Sequence, residues 1–278
     1  INPNQFNNSF FNPIFNIIKT DSELLKISDN SGILFDKTIN SMTNMSISSD
    51  ILKRDISNTG IQKHQESRGF IALTGDSMMA VSLAPNLISL IKGYGNLDVI
   101  RAYKSGTGLS RPDVYNWFDE YPKILSGRKP LIVVCAIGAN DAQGLEVNNK
   151  VLLFGTKEWL EEYSSRARLF IELMLSNNAR VYWILLPHMR NYKFDLKIQA
   201  INTFLMNSFQ NIPNLTFISS DNLVYGQNSG SYNDFSKNGS YGFNKVRADD
   251  GIHYSDAGGR LLADGIWKEI TKTGLPDL

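Results

Sequence analysis

From Gly69 onward the chain alternates short, near-continuously apolar runs with stretches of helical periodicity, and this alternation restricts the fold more than any other feature. Phe70 to Thr74, Leu97 to Tyr103, Leu131 to Ile137, Val181 to Leu186 and Leu215 to Ile218 read as five strands. Strands apolar on both sides need cover on both faces, as in a parallel sheet. Parallel neighbours need crossovers, and helical patterns lie between the runs: Met78 to Ile91 with a break at Pro85, Asp113 to Leu125, Lys157 to Ser176, Leu196 to Phe209 and Ser255 to Lys272. The expectation is an α/β protein, a three-layer α/β/α sandwich around a parallel five-stranded sheet.

Residues 1–68 lack this alternation. They are rich in Asn, Ser, Ile and Asp, with short amphipathic pieces at Ser22 to Ile27 and Ser49 to Ile56. They read as a helical, partly irregular arm, leaving 69–278 as the catalytic-looking domain. At 278 residues with 42% hydrophobic and 20% charged side chains, the chain can bury a sizeable core. Ser220 to Asp249, full of Asn, Gly, Ser and Tyr, is too long for a passive connection and reads as a substrate-facing loop.

Ligands of open parallel sheets bind beyond the carboxyl ends of the strands. Three polar blocks fall there: Gly75-Asp76-Ser77-Met78, Ser105-Gly106-Thr107-Gly108-Leu109 and Gly138-Ala139-Asn140-Asp141; a fourth, Asp250-Gly251-Ile252-His253, precedes the last helix. Together they supply a nucleophilic serine, its general base, a carboxylate to orient that base, and donors for an oxyanion. Ser77 follows a strand and opens a helix, where the dipole favours developing negative charge; the plain alternative is that Asp76 or Ser77 only caps the helix. Asp250 and His253 can sit side by side on one turn. Asn140 can donate its amide to an oxyanion or simply close a turn. Gly108, with Gly106 second, lets a backbone N–H approach a substrate closely.

The other histidines compete poorly as the base. His64 lies in the polar arm and reads as a surface residue; His188, after a strand and a proline, could line the cleft, but it has no carboxylate close in sequence, which favours a structural role. Cys135, the only cysteine, sits within an apolar strand and reads as core, which excludes intramolecular disulfides. The formal charge of +1, with no basic cluster interleaved with aromatics, argues against nucleic acid. No metal-ligand spacing and no phosphate-binding glycine fingerprint is present, so neither metal nor cofactor is expected. No run approaches a membrane span, and a start at Ile1 reads as a trimmed or mature form, which leaves room upstream for a signal peptide or anchor.

With these residues in place, the chain resembles the SGNH (GDSL-like) hydrolase superfamily, named for Ser, Gly, Asn and His in four blocks. Its matching positions are Ser77, Gly108, Asn140 and His253, with Asp250 as third triad member. The resemblance implies a flavodoxin-like α/β/α sandwich and a cofactor-free acyl-enzyme mechanism. It extends to a bacterial extracytoplasmic subgroup through Ser105 to Asp113 (SGTGLSRPD), Trp117, Phe154 to Tyr163 (FGTKEWLEEY), Arg166, Leu186 to Arg190 (LPHMR), Asn202 and Arg247 to Ser255, over about residues 69–272. Superfamily members outside the cytoplasm often remove or install O-acetyl groups on peptidoglycan or other glycans, sometimes beside a membrane-bound acyltransferase. The implied location is therefore extracytoplasmic, in a periplasm, with that acyltransferase as an acetyl-donating partner.

The expected chemistry is attack of Ser77 on an ester, followed by water in an O-acetylesterase or by a sugar hydroxyl in an O-acetyltransferase. Arg111, Arg190 and Arg247 are candidates for substrate carboxylates, and Tyr225, Tyr232 and Tyr241 for stacking on sugar rings. A lipid or small-ester esterase, a thioesterase and a non-catalytic glycan-binding protein are the other classes. The polar strand-end loops count against a lipid channel, and the full triad counts against pure binding.

Overall fold

The structure, a computed structural model, describes residues 69–227, 230–237 and 244–275. The expected N-terminal arm, His64 and Tyr241 lie outside the described residues. Five parallel strands form the central sheet: β1 (Gly69–Gly75), β2 (Leu97–Tyr103), β3 (Pro130–Ala136), β6 (Arg180–Leu185) and β7 (Leu215–Ser219), in the order β2-β1-β3-β6-β7. Between β3 and β6 the hairpin strands β4 (Leu145–Val147) and β5 (Lys150–Leu152) pair antiparallel. The strands β8 (Phe235–Ser236) and β9 (Asn244–Lys245) form a second such pair.

The helices cover the sheet. A π-helical turn (Met79–Leu83) runs into α1 (Ala84–Tyr94), followed by α2 (Trp117–Leu125), α3 (Lys157–Leu175), α4 (Tyr192–Phe209), α5 (Ser220–Tyr225) and α6 (Asp256–Lys272). Ile71, Leu73, Ile132 and Val134 on β1 and β3 are sealed in one cluster with Leu87 and Ile91 of α1 and Leu262 and Ile266 of α6. On α3, Tyr163, Ala167, Phe170, Ile171 and Met174 are buried, the stripe that helical spacing prescribes.

Several boundaries differ from expectation for local reasons. Pro85 does not break its helix. It occupies the first turn of α1, where its missing N–H costs nothing, and the irregularity lies just before it in the π turn. The second helix begins at Trp117 rather than Asp113, because extended Asn116 turns its side chain onto the N–H of Phe118 at 3.1 Å. Ser220 to Tyr225 of the expected loop is helical, capped by Ser219.

Register sets the height of the site. Gly75 at the end of β1 is level with Tyr103 on one side and Ala136 on the other, so the chain leaves all three strands at one level. A Cβ on Gly75 would fall 1.9 Å from the Ala136 carbonyl oxygen, so only glycine permits this approach. The first three blocks therefore leave a common edge of the sheet.

Candidate active site

Asp76 takes the helix cap: its Oδ1 accepts the Met78 N–H at 2.8 Å, and its carbonyl accepts from Met79 and Ala80. The Ser77 hydroxyl is left for another partner and lies 2.8 Å from His253 Nε2. His253 Nδ1 is 2.7 Å from Asp250 Oδ2, and the other Asp250 oxygen accepts the N–H groups of Ile252 (2.8 Å) and His253 (3.0 Å). Burial acts to raise the Asp250 carboxyl, but these hydrogen bonds outweigh it and hold it at about 2. An ionised Asp250 facing Nδ1 orients the ring so that Nε2 can take the Ser77 proton.

The expected oxyanion donors stand on the ends of the two strands that flank β1. Asn140 spends one amide hydrogen on the Thr107 carbonyl at 2.8 Å, which fixes the amide plane. Among the described residues the N–H groups of Ser77 and Gly108 have no acceptor. Gly108 is buried against the third block, and a Cβ there would meet Asp141 Oδ1 at 2.1 Å. Gly106 is exposed, with open space around it and φ of +76°, as a turn requires. The packing thus sets Gly108, not Gly106, beside Asn140.

Two buried carboxylates join these blocks, a role that the sequence did not suggest for either; Asp76 was expected at most to cap the helix. Asp76 Oδ2 accepts the N–H groups of Gly138 and Ala139, both at 3.1 Å, binding the first block to the third. Asp141 accepts Ser110 N–H at 2.9 Å and the Tyr163 hydroxyl at 3.0 Å, binding the third to the second. Burial pushes both carboxyls up, Asp76 to about 7, against the pull of their hydrogen bonds. Buried Arg166 of α3 completes the frame, donating from Nη1 to the carbonyls of Leu109 and Ser110 at 3.1 Å each. Trp117 Nε1 reaches Thr107 Oγ1 at 3.2 Å, and Asn202 pairs with both backbone groups of Leu186.

The loop carrying Asp250 and His253 is held differently, and here one expectation is corrected. Arg247 is not a surface contact for substrate: it is 0% exposed. It donates to the carbonyls of His188 (2.6 Å), Ile252 (2.8 Å) and His253 (3.4 Å), so it anchors the loop of the base. Arg190 is exposed, but its guanidinium meets Tyr232 Oη and Asp234 Oδ1 at 2.9 Å each and the Asp249 carbonyl at 2.6 Å. Arg111 is exposed and forked onto Asp113 at 2.8 and 2.7 Å. Tyr232 lies against the guanidinium groups of Arg247 and Arg190, and Tyr225 donates to the Asn233 carbonyl.

His188 is also corrected. It has a carboxylate after all, Asp195, seven residues on, in the first turn of α4: Nδ1 lies 2.9 Å from Asp195 Oδ2. Among the described residues no group of three or more His, Cys, Asp or Glu side chains is placed to hold a metal, and no helix is long and apolar enough to cross a membrane.

The family described as "Protein of unknown function (DUF459)" matches residues 70–269. No curated protein matches the chain. Among solved structures it is similar to a catalytic mutant of an acetylxylan esterase from Geobacillus stearothermophilus, at 16% identity and a TM-score of 0.51, over 74% of this chain and 95% of that one. It is similar also to an acetyl esterase mutant with an acetate ion, at 15% identity and a TM-score of 0.50, over 74% and 97%. At such identities the likeness is one of fold, the α/β/α sandwich of SGNH hydrolases.

Proposed function

We propose that this chain, which belongs to the family described as "Protein of unknown function (DUF459)", is a serine-dependent acyl-ester enzyme acting on O-acetyl groups of a cell-wall glycan such as peptidoglycan. The observation that carries the reading is the relay from Asp250 through His253 to Ser77, at 2.7 and 2.8 Å, beside the Asn140 amide. His253 takes the Ser77 proton as Oγ attacks the ester carbonyl, and the N–H groups of Ser77 and Gly108 with the Asn140 amide hold the oxyanion. The tetrahedral intermediate collapses to an acyl-Ser77, His253 returning the proton to the departing alcohol. Water or a sugar hydroxyl, deprotonated by His253, then attacks, and the acyl group leaves as acid or as a new ester.

The acetyl preference draws on the acetyl esterases with which the chain shares its fold. The glycan substrate, the extracytoplasmic location and a membrane-bound acyltransferase as donor draw on the sequence resemblance. The test is a time course with an activated acetyl ester, with and without a chitooligosaccharide acceptor, with Ser77→Ala as control and mass spectrometry of the sugar. Free acetate regardless of acceptor marks an esterase; acetylated sugar with little acetate marks a transferase. A wild type no faster than Ser77→Ala refutes the proposal.

A further inference from the structure

The His188–Asp195 pair is a second imidazole–carboxylate couple, formed between the loop that follows β6 and the first turn of α4. Asp195 is itself fixed, accepting the Met189 N–H at 2.8 Å and the Gln199 amide at 3.3 Å. The His188 N–H is held by buried Asp221 at 3.0 Å. In the tautomer that donates Nδ1–H to Asp195, Nε2 is an acceptor. That nitrogen has no partner among the described residues and is not sealed from solvent.

Its position relates it to the reaction. His188 leaves β6, the neighbour of the strand that delivers Asn140. Its carbonyl shares the Arg247 guanidinium with the carbonyls of Ile252 and His253. Arg190, two residues on, donates its N–H to the Gly251 carbonyl at 3.0 Å. On the other side Lys197 of α4 reaches the Ala142 carbonyl at 3.2 Å, two residues past Asn140. The pair therefore stands between the ends of the third and fourth blocks. The departing alcohol leaves beside His253, which protonates it, so the group next to the His253 loop neighbours the alcohol and not the acyl chain.

We propose that His188, held by Asp195, binds a hydroxyl of the alcohol half of the substrate, next to the ester, and so selects esters of sugars and other polyols over simple esters. This rests on the acyl-enzyme reading of Ser77. A site built to accept from a hydroxyl discriminates against the analogue lacking it, because its own polar group is then left unpaired.

The test compares two soluble monosaccharide acetates that differ only in the hydroxyl adjacent to the ester, present in one and absent in the other. Wild type is expected to favour the hydroxyl-bearing ester by about tenfold in kcat/KM, and His188→Ala to bring that ratio near one. His188→Gln, which keeps a hydrogen-bonding group, restores part of it. Binding of the two deacetylated sugars to Ser77→Ala protein, followed by NMR titration, separates this claim from the catalytic one. Tighter binding of the hydroxyl-bearing sugar, lost on adding His188→Ala, supports the subsite even where Ser77 proves inert. Equal binding of the two sugars, or a preference that survives His188→Ala in either assay, overturns it.

Discussion

The two halves of the site are built on opposite principles. Ser77, Gly108 and Asn140 stand on strand ends tied together by the buried carboxylates of Asp76 and Asp141, which collect backbone N–H groups. Asp250 and His253 stand on a loop tied by the guanidinium of Arg247, which collects carbonyl oxygens. Donors that must point at an oxyanion need a turn whose remaining N–H groups are already satisfied, and an internal acceptor does this without competing for the substrate. A base that must reach a serine from another element needs only its loop held in place. Loss of the buried groups that tie either half should therefore register in the fold, and loss of the Ser77, His253 or Asp250 side chain in catalysis.

The largest effect expected is on chemistry alone. Ser77→Ala or His253→Ala should lower kcat on an activated acetyl ester by ~10⁴ or more, and Asp250→Asn by about 10⁴, through the wrong imidazole tautomer. Thermal melting should show all three folded; an unfolded Asp250→Asn would erase the division between tying groups and catalytic side chains. Asn140→Ala should cost about 10² to 10³ in kcat, the loss of one oxyanion donor. It should also lower the melting temperature, since it frees the Thr107 carbonyl.

Arg247→Met sharpens the comparison from the other side. It abandons the three carbonyls, each worth roughly 1–3 kcal/mol when left unsatisfied in the interior. Denaturant titration should place the loss near the low end of that sum, because the loop can open to water. Activity should fall further than in Arg190→Ala, whose side chain is 43% exposed.

The smallest effects are in pH. Asp76, raised to about 7 chiefly by burial, makes the native state bind more protons than the unfolded one between about pH 4 and 7, so its contribution to stability falls as pH rises through that range. Buried Asp221, raised to about 6 mainly by burial, acts in the same sense. Asp250 acts oppositely. Its burial is outweighed by the hydrogen bonds that hold it at about 2, so its contribution is complete above pH 4 and lost as pH falls toward 2. Urea midpoints across pH 2–8 should show Asp250→Asn losing less stability than wild type on going from pH 4 to 2; identical profiles would mean that its carboxylate is not held as the geometry requires.

The sheet was legible in the sequence because strands buried on both faces leave unbroken apolar runs, and the four blocks because they sit where those runs stop. The carboxylate frame was hidden: Asp76 and Asp141 stood in view, but their partners lie 62 and 31 residues away, a distance that no local pattern spans. Arg247 was misread for the same reason, since a charged residue in a polar loop resembles a surface group until its carbonyl partners are in place. The β4–β5 hairpin left a readable trace: Asn148 and Asn149, with φ of 51° and 61°, are the residue type that left-handed two-residue turns select. The pairing of His188 with Asp195 escaped notice because a helix start had to fold Asp195 back toward the strand end.

The central claim, that His253 activates Ser77 as a nucleophile, is tested most directly by labelling the protein with a serine-directed fluorophosphonate and locating the adduct by peptide mass spectrometry. One adduct on Ser77, absent in Ser77→Ala and formed far more slowly in His253→Ala, is the result this geometry predicts. A wild type that stays unlabelled, or labelling of Ser77 at an unchanged rate without His253, would contradict it.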